Sequence, residues 1–267
     1  MTTTTLARTR DYLTGQRRTI IARALLGSLA GAVPIPFLDD LAVQRIVGDA
    51  YRRIAEAHHV DVDDEAVKAL VHGATPPPSV VDMAASGIAF RLAGLAARRM
   101  LLALSTVKRA RGAARTYVTM TLFDHYCARL HTGLALDGIT ALALRDEITR
   151  AIDNTPGTLV FHPFRRGLMA GARAVLRAPL ELADLATRGA LRKRLGGPRE
   201  ITDGEPVDQL ELSFDAALAE KKNFLGRAVT AVELQLSAEV NPFLDTAIDS
   251  LDRRWRARIA AGTVRPK

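Results

Sequence analysis

A single cysteine, a single tryptophan and only 5% aromatic residues leave this 267-residue chain short of the usual structural anchors. The lone Cys127 excludes an internal disulfide and fits a reducing compartment. With so few rings, packing must rest on Leu, Ala, Val and Ile. The stretch Met1–Gln16 has no apolar core ahead of its first arginines, so a secretory signal is not expected. Its Thr/Arg content, with Asp11 the one acidic residue before position 39, faintly resembles an organellar transit peptide. No G-x-x-x-x-G-K-S/T loop is present, so any nucleotide hydrolysis would need a partner. The histidines, His58, His59, His72, His125, His131 and His162, form neither H-E-x-x-H nor the Cys/His spacing that holds zinc. No cofactor or metal is expected. Long hydrophobic runs are missing as well. The uncharged stretch Ala24–Leu38 spans about 22 Å as a helix, against about 30 Å of bilayer hydrocarbon. A buried helix hairpin is the favoured reading of it, and a re-entrant or interfacial hairpin is the alternative.

What the chain does have is 48% apolar and 25% charged residues, an ordinary globular balance that argues against wholesale disorder. Arginine outnumbers lysine 31 to 6, and the net charge of +8 points to acidic partners. The charge falls in blocks. Arg91 to Arg115 holds seven basic residues and no acidic one, and Arg165 to Arg199 holds nine against Glu181 and Asp184. Glu200 to Glu220 then holds seven acidic residues and no basic one, which makes it a candidate intramolecular partner for the basic runs.

Helical periodicity dominates. Val43, Ile46, Val47, Ala50, Ile54 and Ala57 form an apolar stripe opposite Arg45, Asp49, Arg52 and Glu56. Phe243, Leu244, Ala247, Ile248, Leu251 and Trp255 form another, and Phe214, Leu218, Leu225, Val229, Val232 and Leu236 step along a third helix. The β-flavoured run TYVTMTL, Thr116 to Leu122, has no strand to pair with and reads as helix. Breaks fall at HGATPPPS (His72–Ser79), HTGLALDG (His131–Gly138), NTPG (Asn154–Gly157) and LGGPREITDGEPVD (Leu195–Asp208). Ser79 with Asp82 and Asp208 with Glu211 have capping-box spacing, and Asp137 can cap the helix after it.

Pro34 and Pro36 push Val33 and Ile35 away from the α-region, so the first apolar helix must stop or kink there. Pro36 can open the next helix, with Asp39 and Asp40 near its positive end. The tetrapeptide PFLD recurs at Pro242–Asp245, after a good N-cap in Asn241. Both copies are explained as helix starts. GSLAGA (Gly27–Ala32) is echoed by GLMAGA (Gly167–Ala172), small-residue patterns that let helix backbones approach closely.

The segment GSLAGAVPIPFLDDLAVQRIVGDAYRRIAEAHHVD, through Gly27, Gly31, Pro34, Ile35, Pro36, Asp39 or Asp40 and Gln44, resembles one shared by bacterial EcsC-like and YcjF-like proteins. The resemblance covers about 35 residues. It implies an α-helical protein at the cytoplasmic face of a membrane, sometimes beside a GTPase domain, and it carries no catalytic residues.

Asp124, His125 and Cys127 suggest a nucleophile site, but on a helix nearly consecutive residues point apart. A buried cysteine with unrelated neighbours is the reading adopted, and no catalytic residue is assigned. For an anionic surface the candidates are Arg91, Arg98, Arg99, Lys108, Arg109, Arg111 and Arg115. Arg91, Arg98 and Arg109 share a helical face with Leu95 and Leu102, whereas Lys108, Arg111 and Arg115 lie elsewhere, so the segment is not a simple surface-lying amphipathic helix.

The expectation is therefore an all-α bundle of about eight to ten helices. Residues 1–195 form a helical domain, 196–208 an acidic linker or loop, and 209–267 a C-terminal helical hairpin packed on the first part. The expected function is non-catalytic: a cytoplasmic protein held peripherally at the inner face of the plasma membrane, as an adaptor or envelope-related factor. An anionic membrane surface or an acidic protein is the expected partner. The alternative is a soluble helical module for protein or nucleic acid, the latter weakened because the basic runs alternate with Leu and Ala instead of stacking aromatics. The sequence leaves the oligomeric state open.

Overall fold

The computed structural model describes residues 10–30, 39–74, 98–175, 224–238 and 242–262. Among them eight α-helices pack together. A 3-10 turn, Asp11–Leu13, leads into α1 (Thr14–Ala30) and then α2 (Asp39–Ala57). Next come β1 (Asp61–Val62), α3 (Asp64–His72) and the long α4 (Arg98–Arg129). After these follow β2 (Ala135–Leu136), α5 (Gly138–Asp153), α6 (His162–Val175), α7 (Phe224–Ala238) and α8 (Pro242–Ala260). The two strands make one parallel bridge, Asp61 opposite Ala135 and Val62 opposite Leu136, which ties the start of α3 to the start of α5.

Local chemistry sets the helix ends. Asp63 caps α3 by accepting from the Ala66 amide at 2.6 Å, and Asp64 and Glu65 follow in its first turn. The helix stops at Gly73, whose φ of 71° suits glycine. Asp137 caps α5 in the same way, through the Thr140 amide at 2.8 Å. Asn154 ends α5 within the NTPG turn, and Pro242 opens α8.

The core is organised around α4, against which α1, α2, α5, α6 and α8 all pack. TYVTMTL lies in the middle of this helix. Tyr117, Val118, Met120, Thr121 and Leu122 are all buried, so tertiary burial overrides β-propensity. Ile20 to Leu26 of α1 are buried without interruption, so Ala24 to Leu26, the start of the apolar stretch Ala24–Leu38, pack within the bundle. Among the described residues no helix is long and apolar enough to cross a membrane. Gly31, Pro34 and Pro36 lie outside the described residues, as do Ser79, Asp82, Asp208, Glu211, Phe214 and Leu218.

The stripes behave as periodicity predicts at Ala50 and Ile54, and at Ala247, Ile248, Leu251 and Trp255, all buried. Three residues depart from the pattern, one of them Ala57, which is exposed at the end of α2. Phe243 is 46% exposed at the start of α8, and Asp49, assigned to the polar face of α2, is buried. α1, α3 and α4 all cover α2, which leaves its nominal polar side partly enclosed.

The echoed glycines differ in their surroundings. A Cβ on Gly27 would meet Val47 Cγ2 at 3.6 Å, an ordinary contact. One on Gly167 would collide with Val232 and lie 3.1 Å from the Ala228 carbonyl, because α6 and α7 meet there almost backbone to backbone. Gly27→Ala is therefore expected to be neutral or to stabilise by up to about 1 kcal/mol, alanine being the better helix former. Gly167→Ala is expected to cost about 1–3 kcal/mol through overpacking. Urea unfolding midpoints of the two variants check the contrast; equal shifts in both would remove the distinction.

Candidate functional site

The C-terminal half of α4 carries two adjacent polar residues in a buried setting, Asp124 at 0% and His125 at 4% exposure. One helical step sends them to different partners. Asp124 Oδ1 meets His58 Nε2 at 2.6 Å. His58 is placed by the end of α2, where His59 turns left-handed at φ 58° and the Val60 amide donates back to the Ala55 carbonyl at 2.9 Å. His125 stands between two groups. Its Nε2 lies 2.6 Å from Asp252 Oδ1 on α8, and its Nδ1 is hydrogen-bonded by the Tyr12 hydroxyl. The carboxylate can only accept, so Nε2 carries the proton and donates, which leaves Nδ1 to accept from the phenol.

The turn that carries Tyr12 is held at several further points. The Arg10 guanidinium pairs with Asp245 and, at 2.7 Å, with Asp249, successive turns of α8. The Arg129 guanidinium sits over the Tyr12 ring, 4.8 Å from its centroid. Residues 10–12 are thus clasped between the C-terminal half of α4 and one face of α8. Asp245, read from the sequence as part of a helix start, is also a ligand for Arg10.

The electrostatics favour holding over reacting. Burial raises the Tyr12 pKa against the opposing pull of Arg10 and Arg129, so the phenol stays protonated. Burial pushes the Cys127 thiol well up, with Asp124 adding to the effect, so no ready thiolate is present. The Asp124 carboxyl is raised by burial in spite of its bond to His58, and His125 is lowered by burial in spite of Asp252. His125 and Cys127 do not converge on each other as a nucleophile and base would. Among the described residues no cluster of three His, Cys, Asp or Glu is placed to hold a metal ion.

The basic candidates occupy the other half of α4. Arg91 lies outside the described residues, and Arg98 and Arg99 begin the helix with side chains that are also outside them. Lys108 and Arg111 are exposed, and Arg109 is half-buried. Arg115 is exposed and pairs with Asp153 at 3.0 Å. The Arg111 guanidinium lies over the Phe161 ring, 5.5 Å from its centroid. One helical turn beyond Phe161 comes Arg165, whose amide donates to the Phe161 carbonyl at 2.9 Å, and Arg165 and Arg166 are both exposed. Arg111 of the first basic block and Arg165, the first residue of the second, therefore both adjoin Phe161 at the α4–α6 seam, while the side chains of Arg173 to Arg199 lie outside the described residues. The acidic block Glu200–Glu220 lies outside the described residues. Asp39 and Asp40 open α2, Gly27 faces Val47 from α1, and Pro242 is the first residue of α8.

Periodicity and motif search overlooked the clasp, since Tyr12, His58, Asp124, His125 and Asp252 have no shared spacing. The available signal was a polar pair, Asp124–His125, set between Leu122–Phe123 and Tyr126–Cys127 in a run otherwise fit for a core. Comparison with protein-family models, with curated proteins and with solved structures finds no match to this chain. Fold and site together define it as an all-α protein in which a polar clasp and a cationic seam occupy opposite halves of one central helix.

The pKa values of His125 and His131 are both lowered from the ordinary 6.5 by burial. The unfolded chain therefore takes up these protons first as pH falls. The stability from keeping both rings neutral is full above pH 6.5 and declines as pH drops from 6.5 through the lower folded-state values. Calorimetric melting is expected at lower temperature at pH 5 than at pH 7.5. His125→Gln should reduce that dependence, leaving the share of His131. The raised carboxyl of Asp124 acts with the opposite sign in both proteins, so their difference reports His125. An unchanged pH profile in the variant would count against a buried neutral His125.

Proposed function

We propose that the protein is a non-catalytic helical adaptor that associates peripherally with an anionic membrane surface through the α4–α6 seam. The observation that carries this reading is that Arg111 and Arg165, from two basic blocks some 50 positions apart in sequence, both adjoin Phe161. Lys108, Arg165 and Arg166 are exposed and make no ion pair with another described residue. Each basic side chain near acidic lipid contributes about 1 kcal/mol, so four acting together suffice for reversible attachment. Met169, 51% exposed one turn beyond Arg165 on α6, adds an apolar contact at the same seam. The short resemblance to EcsC-like and YcjF-like proteins points to the same setting, the cytoplasmic face of a membrane, without supplying a catalytic role.

Flotation with neutral and with anionic liposomes tests this. The intact chain is expected to float with anionic vesicles at low salt and to be released at high salt, since these charges are solvent-exposed and screened. A Lys108→Glu/Arg111→Glu/Arg165→Glu/Arg166→Glu variant is expected not to float. Absence of the intact chain from anionic vesicles at low salt would overturn the reading. A salt-dependent shift of nucleic acid in that case would favour the soluble binding module.

A further inference from the structure

The clasp has a composition unlike the other seams of the protein. α6 and α7 meet through Gly167, Ala228 and Val232, small and apolar side chains in close contact, as a permanent interface requires. Residues 10–12 are instead held by one guanidinium in a fork of two carboxylates, one phenol on an imidazole and one guanidinium over a ring. Asp245 and Asp249 are 46% and 61% exposed, so water competes for both ion pairs. The Leu13 amide donates to the Arg10 carbonyl at 3.0 Å, a backbone bond internal to the turn. Leu13 packs against the core from the far end of the turn and continues into α1. Beneath the clasp, the fully buried Asp124 keeps its Oδ2 without a hydrogen-bond partner. The α4–α8 seam thus presents carboxylates to an arginine, and His125 with Arg129 to a tyrosine two residues later.

We propose that the groove between α4 and α8 is a recognition site for a protein segment in which arginine stands two residues before tyrosine, occupied in cis by Arg10 and Tyr12. The tethered segment acts at an effective concentration of about millimolar, so a partner displaces it only by adding contacts of its own. The site lies about 25 Å along α4 from Lys108, far enough from the basic seam for the two to be engaged separately. Arg256, 3.8 Å from Asp252, borders the groove on α8 and favours a segment with a carboxylate beyond its tyrosine.

The test uses the full-length chain and a fluorescein-labelled peptide of residues 5–16. Peptide binding is measured by anisotropy against the unmodified protein and against Arg10→Ala/Tyr12→Phe, in which the cis occupant has lost its charged and hydroxyl contacts. Binding at least tenfold tighter to the double variant is expected. Adding Asp249→Asn, a change at an exposed position, is expected to weaken that binding about tenfold. Equal affinity for both proteins, or none for a double variant that keeps its helical circular dichroism, overturns the proposal. So does loss of that circular dichroism in the double variant, since the segment is then part of the fold and not an exchangeable occupant. A concentration-dependent dimer that exchanges residues 10–12 between copies would replace the partner with a second copy of the chain.

Discussion

The arrangement of this protein depends on a helix with no solvent face over two turns of its C-terminal half. From Met120 to Cys127 every residue of α4 is buried, through more than two full turns. Such a segment has to be surrounded, and five helices supply the cover. Its aromatic residues provide the largest surfaces: Phe123 meets Tyr51 edge-on at 4.9 Å, and Tyr126 meets Trp255 at 5.0 Å. Tyr51, Phe123, Tyr126 and Trp255 thus form a chain of ring contacts from α2 through α4 to α8. Those contacts let a protein poor in aromatics and rich in alanine keep a single connected core.

Enclosing α4 also encloses its polar residues, and each needs a partner from elsewhere. Thr121 is satisfied within the helix, donating to the Tyr117 carbonyl at 2.8 Å. Asp124 and His125 cannot be satisfied locally, so His58, Asp252 and Tyr12 are drawn in from distant parts of the chain. A similar case arises on α5, where the buried Glu147 lies 2.9 Å from Arg150 and 2.7 Å from Arg258. These contacts link α8 to the core by specific polar geometry where apolar packing alone would tolerate sliding. The same arrangement leaves the N-terminal turn attached by chemistry that water and protons can contest.

Much of the architecture was legible. The apolar stripes of α2 and α8, the cap at Asp137, the NTPG turn and the all-α class follow from residue type and spacing, which are local properties. Asp49 was misread because a stripe records only which side of a helix is apolar, and α2 is covered on more than one side. The echoed glycines show the same limit. Gly27 and Gly167 sit in nearly identical hexapeptides, yet only Gly167 is pressed against a neighbouring backbone, since what faces a glycine depends on another helix. The basic residues were visible as two blocks, but the approach of Arg111 and Arg165 to Phe161 was not, because periodicity within one helix carries no information about the angle at which the next one crosses it.

The sequence by itself determined that this chain is helical, where several of its helices begin and end, and that its surface charge is strongly positive. Those outcomes rest on backbone propensity, capping and composition, which act over a few residues. Tertiary structure alone decided that Asp124 answers to His58, that His125 joins Tyr12 to Asp252, and that Arg111 and Arg165 share a seam. Each of those pairings joins residues more than forty positions apart, and the free energy that selects them comes from burying α4, which exists only once the helices have assembled.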